Sequence, residues 1–474
     1  MATVQIPLPT SSTKDSPQRG GSGRLVNAML ELLPDNRVIR KRAPGMVQFT
    51  TSASSSVHCR GMILVNSNTL LAVYNNIVES VLSNGLSTSL GPVPGSDIVT
   101  LAKNNASPTP DVVCVAGGVA YVLSTSSSPA PYPDADVGSP NSVCFGDGYF
   151  FFTYGSGQVL ASGINSTAIN PLDSAQVNSS STTLLRGVYF AQTLFLFTQD
   201  KIEAWTNTAN PTGFPFSRSS VIPRGLINAN AVAGYESEFA STMLFVGADN
   251  IVYQMNGYSP VRVSTNDIER RISECDRTTL RACVYMSEGH AIWQLSSSTF
   301  TLCFDITGTY WFERKSNLME FSRIECGCYA FGHWLVGDYS TGKVGMVSGS
   351  AYSEYGDALT YEVQSLPIQD FPKRRIIKRA DFNFVVGTGL PASDQVETLP
   401  TDYASDPQAK ISWSDDGGAT FKFPVQRSFG RIGDTIHVVS VLRGGTSSRY
   451  GRIWRVQVSD PVFVGMFDAT AEMS

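Results

Sequence analysis

One octapeptide of this 474-residue chain, SDDGGATF at Ser414–Phe421, has residue types and spacing that match a known chemical motif. It fits the Asp-box pattern S-x-D-x-G-x-T-F, whose defined positions here are Ser414, Asp416, Gly418, Thr420 and Phe421. In that pattern the Asp and Ser side chains bond backbone amides, and glycine adopts a conformation that other residues avoid. The terminal aromatic ring is expected to pack inward. The motif therefore predicts a structural hairpin turn without a catalytic group.

The Asp box raises one enzyme class, because sialidases carry several copies of this turn. A sialidase also needs an arginine cluster and a Tyr/Glu nucleophile pair, and spacing alone identifies neither of them here. This chain has one box, which lies outside the repeats described below. We therefore predict that the chain is not an enzyme. A secreted sialidase-like or glycan-binding β-propeller is the alternative.

The histidines and cysteines do not form a recognisable metal or nucleophile site. Neither HExxH nor HxH spacing occurs among the four histidines. They are His58, His290, His333 and His437. No CxxC occurs among the eight cysteines, and most have apolar neighbours, as buried free thiols do. Since no glycine-rich phosphate loop follows a strand either, we predict no catalytic, cofactor-binding or metal site.

Positive charge is most concentrated in KRRIIKRADFNFVV, Lys373–Val386, which predicts one long strand. Its cationic residues are Lys373, Arg374, Arg375, Lys378 and Arg379. Contact with DNA or a protein partner is one interpretation of this basic cluster, and an exposed edge strand is the favoured one. An earlier basic run, Arg37–Arg42, has two interpretations, a phosphate contact and a solvated strand face. The solvated strand face is the favoured one. The formal net charge of −5 argues against broad, sequence-independent affinity for nucleic acid.

A recurring hairpin organises the rest of the chain. In Thr242–Gly257, TMLFVGADNIVYQMNG, two apolar strands flank Asp249-Asn250, a pair that tolerates the left-handed backbone of a tight turn. Six further segments share this pattern: Leu70–Leu82, Val112–Ser124, Gly148–Ser162, Thr193–Asn207, His290–Thr307 and His333–Gly349. Successive turns lie roughly 38 to 49 residues apart, which is the period of a four-stranded propeller blade. The spacing predicts an all-β chain with a β-propeller of about seven blades, or six if one hairpin belongs to a neighbouring sheet.

Changes in composition divide the chain into three parts. We predict an N-terminal arm and platform segment at 1–56, the β-propeller at 57–350, and a C-terminal β-sandwich platform domain at 351–474. A polar loop at 390–407 precedes the last predicted strands. These are Lys410–Trp413, Thr420–Val425, Thr435–Leu442 and Arg452–Ser459.

Only one convincing helix interrupts the hairpins. Asn266 is its predicted N-cap, with Glu269 three residues on. Ile268 and Ile272 fall on one face of it. The N-terminus has no basic region followed by an apolar core, and no apolar run approaches the ~18 residues of a membrane span. We therefore expect a soluble protein that is made in a cytoplasm.

Two adjoining stretches carry a resemblance to a known family. Residues 201–272 contain KIEAWTN, GFPFSR and VYQMNGYSPVRVSTNDIE, and residues 289–316 contain GHAIWQL and CFDITGTYWFERKS. Near the two ends, RLVNAMLE is followed by APG, and WSDDGGATF by RIWRVQVSDPV. In this order the motifs resemble the packaged-DNA stabilisation proteins of short-tailed bacteriophages, also called tail hub or nozzle proteins. The matching residues are Ile202, Glu203, Trp205, Phe214, Pro215, Phe216, Gly257, Tyr258, Ser264, Thr265, Ile268, Glu269, Gly289, His290, Asp305, Thr307, Gly308, Trp311, Glu313 and Arg314.

The resemblance implies a structural virion protein without catalysis. Members of the family assemble in a ring, expected here to be a homohexamer, below the portal and adaptor of the head-to-tail connector. The ring would continue the channel for genomic DNA without sequence readout, retain the packaged DNA until ejection, and dock tail fibres or spikes. The chain would insert into no membrane, and would be assembled into the virion tail in the host bacterial cytoplasm. The basic cluster would then contact the adaptor or the DNA.

The resemblance also gives structural roles to individual residues. Asp305, Trp311 and Glu313 would hold a blade together. Trp311 would be a core anchor, and Glu313 or Arg314 would pair locally. A third alternative is a tail fibre or receptor-binding subunit, which would more typically be a trimer.

Overall fold

The computed structural model is all-β, as the hairpin pattern predicted, with 52% of residues in strands and 3% in helices. The structure describes residues 2–12, 23–179, 183–210, 213–368, 372–388 and 406–474. Most of the polar loop predicted at 390–407 lies outside these ranges.

Before the first blade, the described residues form β1 (Ala2–Gln5), β2 (Arg24–Val26), β3 (Ala28–Leu32), β4 (Val38–Arg42) and β5 (Gly45–Thr51). Between β2 and β3, the buried Asn27 has a left-handed φ of 49°. Its side-chain amide donates hydrogen bonds to the carbonyl oxygens of Lys315 and Thr360 at 2.9 Å each. Asn27 therefore fixes the point at which the chain passes from one sheet to another.

The first four blades are four-stranded antiparallel sheets that follow one another along the chain. Blade one contains β6 (Cys59–Asn66), β7 (Thr69–Tyr74), β8 (Ile77–Leu82) and β9 (Ser87–Pro92). Blade two contains β10 (Thr100–Lys103), β11 (Val112–Ala116), β12 (Val119–Leu123) and β13 (Ala130–Pro131), and a 3-10 helix, Ala135–Val137, follows it. Blade three contains β14 (Ser142–Gly146), β15 (Tyr149–Thr153), β16 (Gln158–Ser162) and β17 (Ile169–Gln176). Blade four contains β18 (Leu184–Phe190), β19 (Thr193–Thr198), β20 (Ile202–Asn207) and β21 (Phe216–Ile222).

The remaining blades are interrupted by helices and borrow a strand. Blade five contains β22 (Val232–Ala233), β23 (Leu244–Val246), β24 (Val252–Asn256) and β25 (Ser259–Arg262), followed by α1 (Asn266–Glu274) and a 3-10 helix, Arg277–Thr279. Blade six contains β26 (Arg281–Ser287), β27 (His290–Ser296), β28 (Thr301–Asp305) and β29 (Tyr310–Glu313). Blade seven contains β30 (Ile324–Ala330), β31 (His333–Asp338) and β32 (Lys343–Ser348). Its fourth strand is β5, which runs antiparallel to β32 with Val47 opposite Met346.

Strand β5 closes the propeller ring. It lies within 1–56, the segment predicted as arm and platform, so the propeller takes its last strand from before its first blade. At the same seam, β6 of blade one packs on β30 of blade seven, and Cys59 Sγ lies 3.9 Å from Cys326 Sγ. The ring is therefore held shut by hydrogen bonds between its two sequence ends.

Each of the seven predicted hairpins joins the second and third strands of its own blade, so the described residues form seven blades and not six. The backbone of the turns agrees with their sequences. Gly117 and Gly118 have φ angles of 57° and 80°, and Asn250 has 67°, as a two-residue hairpin turn requires. Turn chemistry thus located every blade correctly.

The other strands form two sheets beside the propeller, which we call the platform. Two short strands, β33 (Ser353–Glu354) and β34 (Asp357–Ala358), extend blade seven beyond β5. The later strands of the platform are β35 (Tyr361–Gln364), β36 (Ile376–Phe384), β37 (Gln408–Ser414), β38 (Val425–Ser428), β39 (Val439–Thr446), β40 (Ile453–Val458) and β41 (Gly465–Met473). In the described residues one sheet has the order β3-β4-β41-β36-β39, with β1 also on β41. The other continues from blade six as β29-β2-β35-β40-β37-β38. The sheet of blade six therefore runs without interruption into the platform.

The two platform sheets contact each other through aromatic side chains. The ring centroids of Phe382 of β36 and Trp454 of β40 lie 5.7 Å apart, and Trp413 extends the aromatic cluster within the sheet of β40, at 5.4 Å from Trp454. The Tyr361 hydroxyl donates a hydrogen bond to the carbonyl oxygen of Arg40 at 3.0 Å. The sandwich assignment and the three domain boundaries stay predictions.

Several local predictions differ from the structure. The N-cap of α1 is Thr265 and not Asn266, whereas Ile268 and Ile272 are buried on one face as predicted. The strand predicted at Thr420–Val425 begins at Val425, because the Asp-box turn and the residues after it occupy the earlier positions. The last strand, β41, was not predicted. It lies at the centre of its sheet, with Ala469, Ala471 and Met473 buried on one face, but alanine is a weak strand former and so gave little signal.

Candidate interaction site on the platform

A buried carboxylate, Glu313, joins blade six to the N-terminal segment. Arg24 donates from Nε to Oε1 at 2.8 Å and from Nη2 to Oε2 at 2.7 Å. The Ser12 hydroxyl donates to Oε1 at 2.9 Å, and Arg271 of α1 donates to Oε2 at 3.2 Å. Burial opposes ionisation, but Arg24, Arg271 and Ser12 outweigh it and hold the pKa of Glu313 far below its usual range. The local pairing implied for Glu313 is wrong, since Arg24 is 289 positions away.

The next residue, Arg314, makes a second long-range ion pair. Its Nη2 lies 3.1 Å from Glu354 Oε1 and donates to the carbonyl oxygen of Pro44 at 2.9 Å. Both charged side chains are fully buried, and Arg323 approaches the other oxygen of Glu354 at 3.5 Å. Local pairing is therefore wrong for Arg314 as well. The ion pair ties blade six to β33, and the hydrogen bond to Pro44 ties it to the segment that enters the closing strand β5.

Trp311 and Asp305 have the structural roles that the resemblance implied. Trp311 is buried, its indole Nε1 donates to the Val263 carbonyl at 2.9 Å, and its ring meets that of Trp293 edge to face. Asp305 Oδ2 lies 2.6 Å from His290 Nδ1, and Oδ1 accepts from the backbone N–H of Thr307. The contacts of Trp311 with Trp293 and of Asp305 with His290 hold the strands of blade six together, and the bond to Val263 ties blade six to blade five.

The second half of the basic run Arg37–Arg42 is neither a solvated strand face nor a phosphate contact, because Arg40, Lys41 and Arg42 are buried. Arg42 donates to the carbonyl oxygens of Val458, Asp460 and Val462, and Arg40 to those of Pro9 and Phe467. Burial lowers the pKa of Arg42 to about 10, so the guanidinium stays charged at neutral pH. The prediction of a solvated face is therefore wrong. These cations serve as donors that join β4 to the last strands of the chain.

The Asp box forms a turn between β37 and β38. The Ser414 hydroxyl donates to Asp416 Oδ1 at 2.6 Å, the backbone N–H of Gly418 donates to Ser414 Oγ at 2.9 Å, and that of Thr420 donates to Asp416 Oδ1 at 2.9 Å. Partial burial opposes ionisation, but the bonds from Ser414 and Thr420 prevail and lower the pKa of Asp416 to about 2. Phe421 is half-buried, with the Arg455 guanidinium 3.9 Å from its ring centroid.

The residue that connects this turn to the platform is Asp415, an undefined position of the Asp-box pattern. It accepts from Arg452 Nε at 2.8 Å and from Nη2 at 2.9 Å. Arg452 is 1% exposed and also donates to the carbonyl oxygens of Gly444 and Thr446. Neither residue was predicted from the sequence. The sequence showed an Asp within the Asp box and an Arg at the start of the predicted strand Arg452–Ser459. Nothing in it indicated that these two residues, 37 positions apart, form a pair.

The basic cluster surrounds the start of β36. That strand lies between β41 and β39, so the prediction of an edge strand is wrong, and the reason is that the unpredicted β41 covers one side. Lys373, Arg374 and Lys378 are exposed, and Arg375 is half-buried. Arg379 donates to Asp381 Oδ1 at 2.7 Å, and this bond raises its pKa. Arg379 therefore has an acidic partner within its own sheet.

A cavity of about 230 Å³ lies beside the basic cluster, and we call it the basic cavity. Lys373 and Arg375 line it together with the buried Arg452, so the Asp-box turn and the basic cluster meet at one end of the platform. Apolar side chains from three segments, Ile368, Ile377 and Met473, supply further lining. An anionic group beside an apolar one would suit this combination. The basic cavity is therefore the candidate interaction site.

Other kinds of site find no support in the described part of the chain. Within it, no three His, Cys, Asp or Glu side chains lie close enough together to hold a metal ion, and all eight cysteines are free thiols. Nor does any helix in those ranges have the length and apolarity needed to cross a membrane.

A closed seven-bladed β-propeller, joined to a second body by a shared sheet and buried ion pairs, defines the class of this protein. Within that class, the chain belongs to the phage stabilisation family described by the β-propeller of bacteriophage P22 Gp10, whose model matches residues 39–352. It is thus a bacteriophage DNA-stabilisation protein, and the family resemblance stated from the sequence is confirmed. The match begins within β4 and ends just before β33, so it includes the closing strand β5.

Three solved structures have a distant likeness to the chain. The WD40 propeller domain of Doa1 is 8% identical, with 64% of this chain and 97% of that chain covered and a TM-score of 0.42. Virginiamycin B lyase from Staphylococcus aureus is 10% identical, with 64% and 98% covered and a TM-score of 0.45. The computationally designed Ika8 protein is 11% identical, with 73% and 99% covered and a TM-score of 0.39. At these values the likeness carries no argument about function, and no curated protein matches the chain.

Proposed function

We propose that the chain is a non-catalytic subunit of a phage tail nozzle. Six copies form a ring below the portal and adaptor, continue the DNA channel, retain the packaged genome and dock fibres or spikes. The ring is assembled in the host cytoplasm and stays in the virion tail. Membership of the phage stabilisation family supports the DNA-retaining role.

The observation that carries the proposal is the continuous sheet that joins the propeller to the platform. Blade six continues into the platform through β2, and the buried pair Arg24–Glu313 crosses the same junction, while Arg314–Glu354 ties blade six to the extension of blade seven. Such a union suits a subunit that bears load, because breaking a buried ion pair by removing one partner is costly, about 3–5 kcal/mol. A platform built from both ends of the chain can contact neighbouring subunits while the propeller projects outward.

Native mass spectrometry of the full chain tests the ring, alone and with the adaptor protein of the same phage. We expect a six-copy species, with the adaptor added if assembly requires it. A monomer under every condition would count against the nozzle, and a trimer would favour the fibre subunit. Release of sugar from a glycan panel by the purified chain would instead support the glycan-cleaving alternative that the Asp box raised.

A further inference from the structure

We propose that Cys59 and Cys326 form a modification site, at which a low-molecular-weight disulfide oxidises the two thiols to a disulfide bond that locks the propeller shut. The setting of this inference, a virion that leaves a reducing cytoplasm, rests on the proposed function. The chemistry belongs to the chain itself and can be measured on the purified protein.

The two thiols meet at the seam where the propeller closes. Cys59 begins β6 of blade one, Cys326 lies in β30 of blade seven, and these two strands pack against each other. The Cys326 thiol points at Cys59, with its Sγ 3.9 Å from Cys59 Sγ and 3.6 Å from the Cys59 carbonyl oxygen. One residue earlier in each segment, His58 Nε2 lies 3.3 Å from Glu325 Oε1. Contacts at two successive positions therefore hold the thiols side by side.

A glycine leaves the space in which the two sulfurs meet. Gly337 of β31 pairs with Cys326 in the sheet of blade seven. A Cβ at Gly337 would lie 2.7 Å from Cys59 Sγ and 2.8 Å from Cys326 Sγ, so a side chain there would collide with both thiols. Forming a disulfide of about 2.05 Å from the 3.9 Å separation requires an approach of about 1.9 Å. A change of rotamer moves a cysteine sulfur by up to about 3 Å, which is large enough for this approach.

The two cysteines differ in exposure, and this difference sets the order of the exchange. Cys59 is fully buried, whereas Cys326 is half-buried. Cys326 loses its proton, and its thiolate attacks one sulfur of the small disulfide, whose other sulfur leaves as a thiolate and takes up a proton. Cys59 then loses its proton and attacks the Cys326 sulfur, which releases the second small thiol. Two protein thiols are thereby oxidised by two electrons, and one small disulfide is reduced to two thiols.

The bond changes how the propeller is held closed. In the reduced chain, β5 closes it through backbone hydrogen bonds to β32. The disulfide adds a covalent link between blades one and seven, at residues 267 positions apart, and cross-links that close long loops stabilise the folded state most. A reducing cytoplasm keeps thiols free, whereas disulfides persist on virions outside the cell. The propeller is therefore assembled with free thiols and is locked after release.

Oxidation of the purified full chain tests the site. The reduced chain is incubated with oxidised glutathione until the thiol count is constant, because the hydrogen bond with Cys59 and burial raise the pKa of Cys326 and slow the exchange. We expect the number of free thiols to fall from eight to six, because one bond consumes two. After alkylation, trypsin should release the peptide Ala43–Arg60 joined to Ile324–Lys343. The thermal unfolding midpoint should rise by about 5 °C.

Alanine variants identify the pair. Cys326→Ala should keep all its thiols and show no rise in midpoint. Cys328→Ala is the matched control, because Cys328 lies two positions further along the same strand and is also half-buried. It should form the bond as the wild type does, and it leaves Cys326 as the single cysteine of the peptide Ile324–Lys343. Cys59→Ala should behave as Cys326→Ala, and if removal of the buried thiol unfolds it, the peptides from Cys328→Ala decide the test.

Retention of all eight thiols by the oxidised wild type would overturn the proposal, as would a bond from Cys326 to any cysteine other than Cys59. A Cys59–Cys326 bond that leaves the midpoint unchanged would refute the lock. Native mass measurement tests the six-copy ring separately. A chain that forms the six-copy ring but not the bond refutes this inference and leaves the proposed function standing, whereas a chain that forms the bond and stays a monomer refutes the nozzle alone.

Discussion

Arg24 and Glu313 form a two-pronged ion pair across 289 residues, with nitrogen–oxygen distances of 2.8 and 2.7 Å. Strand β2, which carries Arg24 at its start, pairs in parallel with β29 at Val26 and Glu313, and antiparallel with β35 on its other side. The ion pair therefore lies where the blade-six sheet becomes the platform sheet. It makes the N-terminal segment a part of the junction and not a free arm.

Replacing Glu313 with Gln should destabilise the protein strongly, because Arg24 and Arg271 would lose a buried acidic partner. We expect the free energy of unfolding to fall by about 3 kcal/mol, measured by urea unfolding with tryptophan fluorescence. Glu320→Gln is the matched control. It breaks a surface pair with Lys315 in which Glu320 is 76% exposed, and should cost less than about 1 kcal/mol. Equal losses in the two variants would contradict a structural role for the junction.

The same carboxylate predicts a pH dependence. The folded state lowers the pKa of Glu313 far below its ordinary value of 4.5, so the unfolded chain binds this proton at higher pH than the folded one. The contribution of Glu313 is therefore fully present above about pH 5 and is lost as the pH falls further. Unfolding curves between pH 6 and 3 should show the wild type losing stability faster than Glu313→Gln. Parallel curves would show that the carboxylate is not ionised in the fold.

The two adjacent aspartates of the Asp box should differ in importance. Asp415→Ala leaves the buried Arg452 without its acidic partner, and should cost about 3 kcal/mol. Asp416→Ala removes hydrogen bonds within a largely exposed turn, and should cost about 1 kcal/mol. Thermal and urea unfolding of the two variants measure the difference. A larger loss from Asp416→Ala would mean that the turn, and not its link to Arg452, stabilises the platform.

Closure of the propeller should be sensitive to a methyl group at Gly45, the first residue of β5. A Cβ there would lie 2.4 Å from the carbonyl oxygen of Ser353 and 2.5 Å from that of Ala351, so the backbone would have to move. Gly45→Ala should therefore lower the free energy of unfolding by at least about 2 kcal/mol. Gly155→Ala is the control, because its added Cβ would be 3.5 Å from the nearest side-chain atom. Amide hydrogen exchange should show faster exchange along β5 and β32 in Gly45→Ala alone.

The basic cluster can be tested in whole particles. If it grips the adaptor or the DNA, replacing Arg374, Arg375 and Arg379 with Ser should give particles that leak DNA. Nuclease-accessible DNA in purified particles is the measurement, and Arg379→Ser alone should cause little of the leakage, since Arg379 is already paired with Asp381. Particles with Ser at Arg218, Arg224 and Arg262, partly exposed arginines of the propeller, are the control. Tight and infectious particles from the basic-cluster variant would contradict the role.

The propeller was predictable because the residue preferences that specify its hairpins act over short stretches of the chain. Each hairpin places apolar residues on both strands and a glycine, Asn or Asp at the turn, and these preferences act within about a dozen residues. Trp311 was likewise recognisable as a core residue, since a large apolar ring in a strand is almost always buried. The errors cluster in the platform, where the order of strands in space does not follow the order in the chain.

By itself, the sequence determined the all-β class and the position of each hairpin, because short-range side-chain preferences specify these, and it left a choice between seven blades and six. Only the tertiary structure decided that β5 closes the ring, that β2 continues blade six, and that the carboxylates of Glu313 and Asp415 hold Arg24 and Arg452. Backbone hydrogen bonds are the same for any strand, and a guanidinium accepts any carboxylate that folding brings within reach. Partners separated by tens to hundreds of residues are therefore selected by the packing of the whole chain.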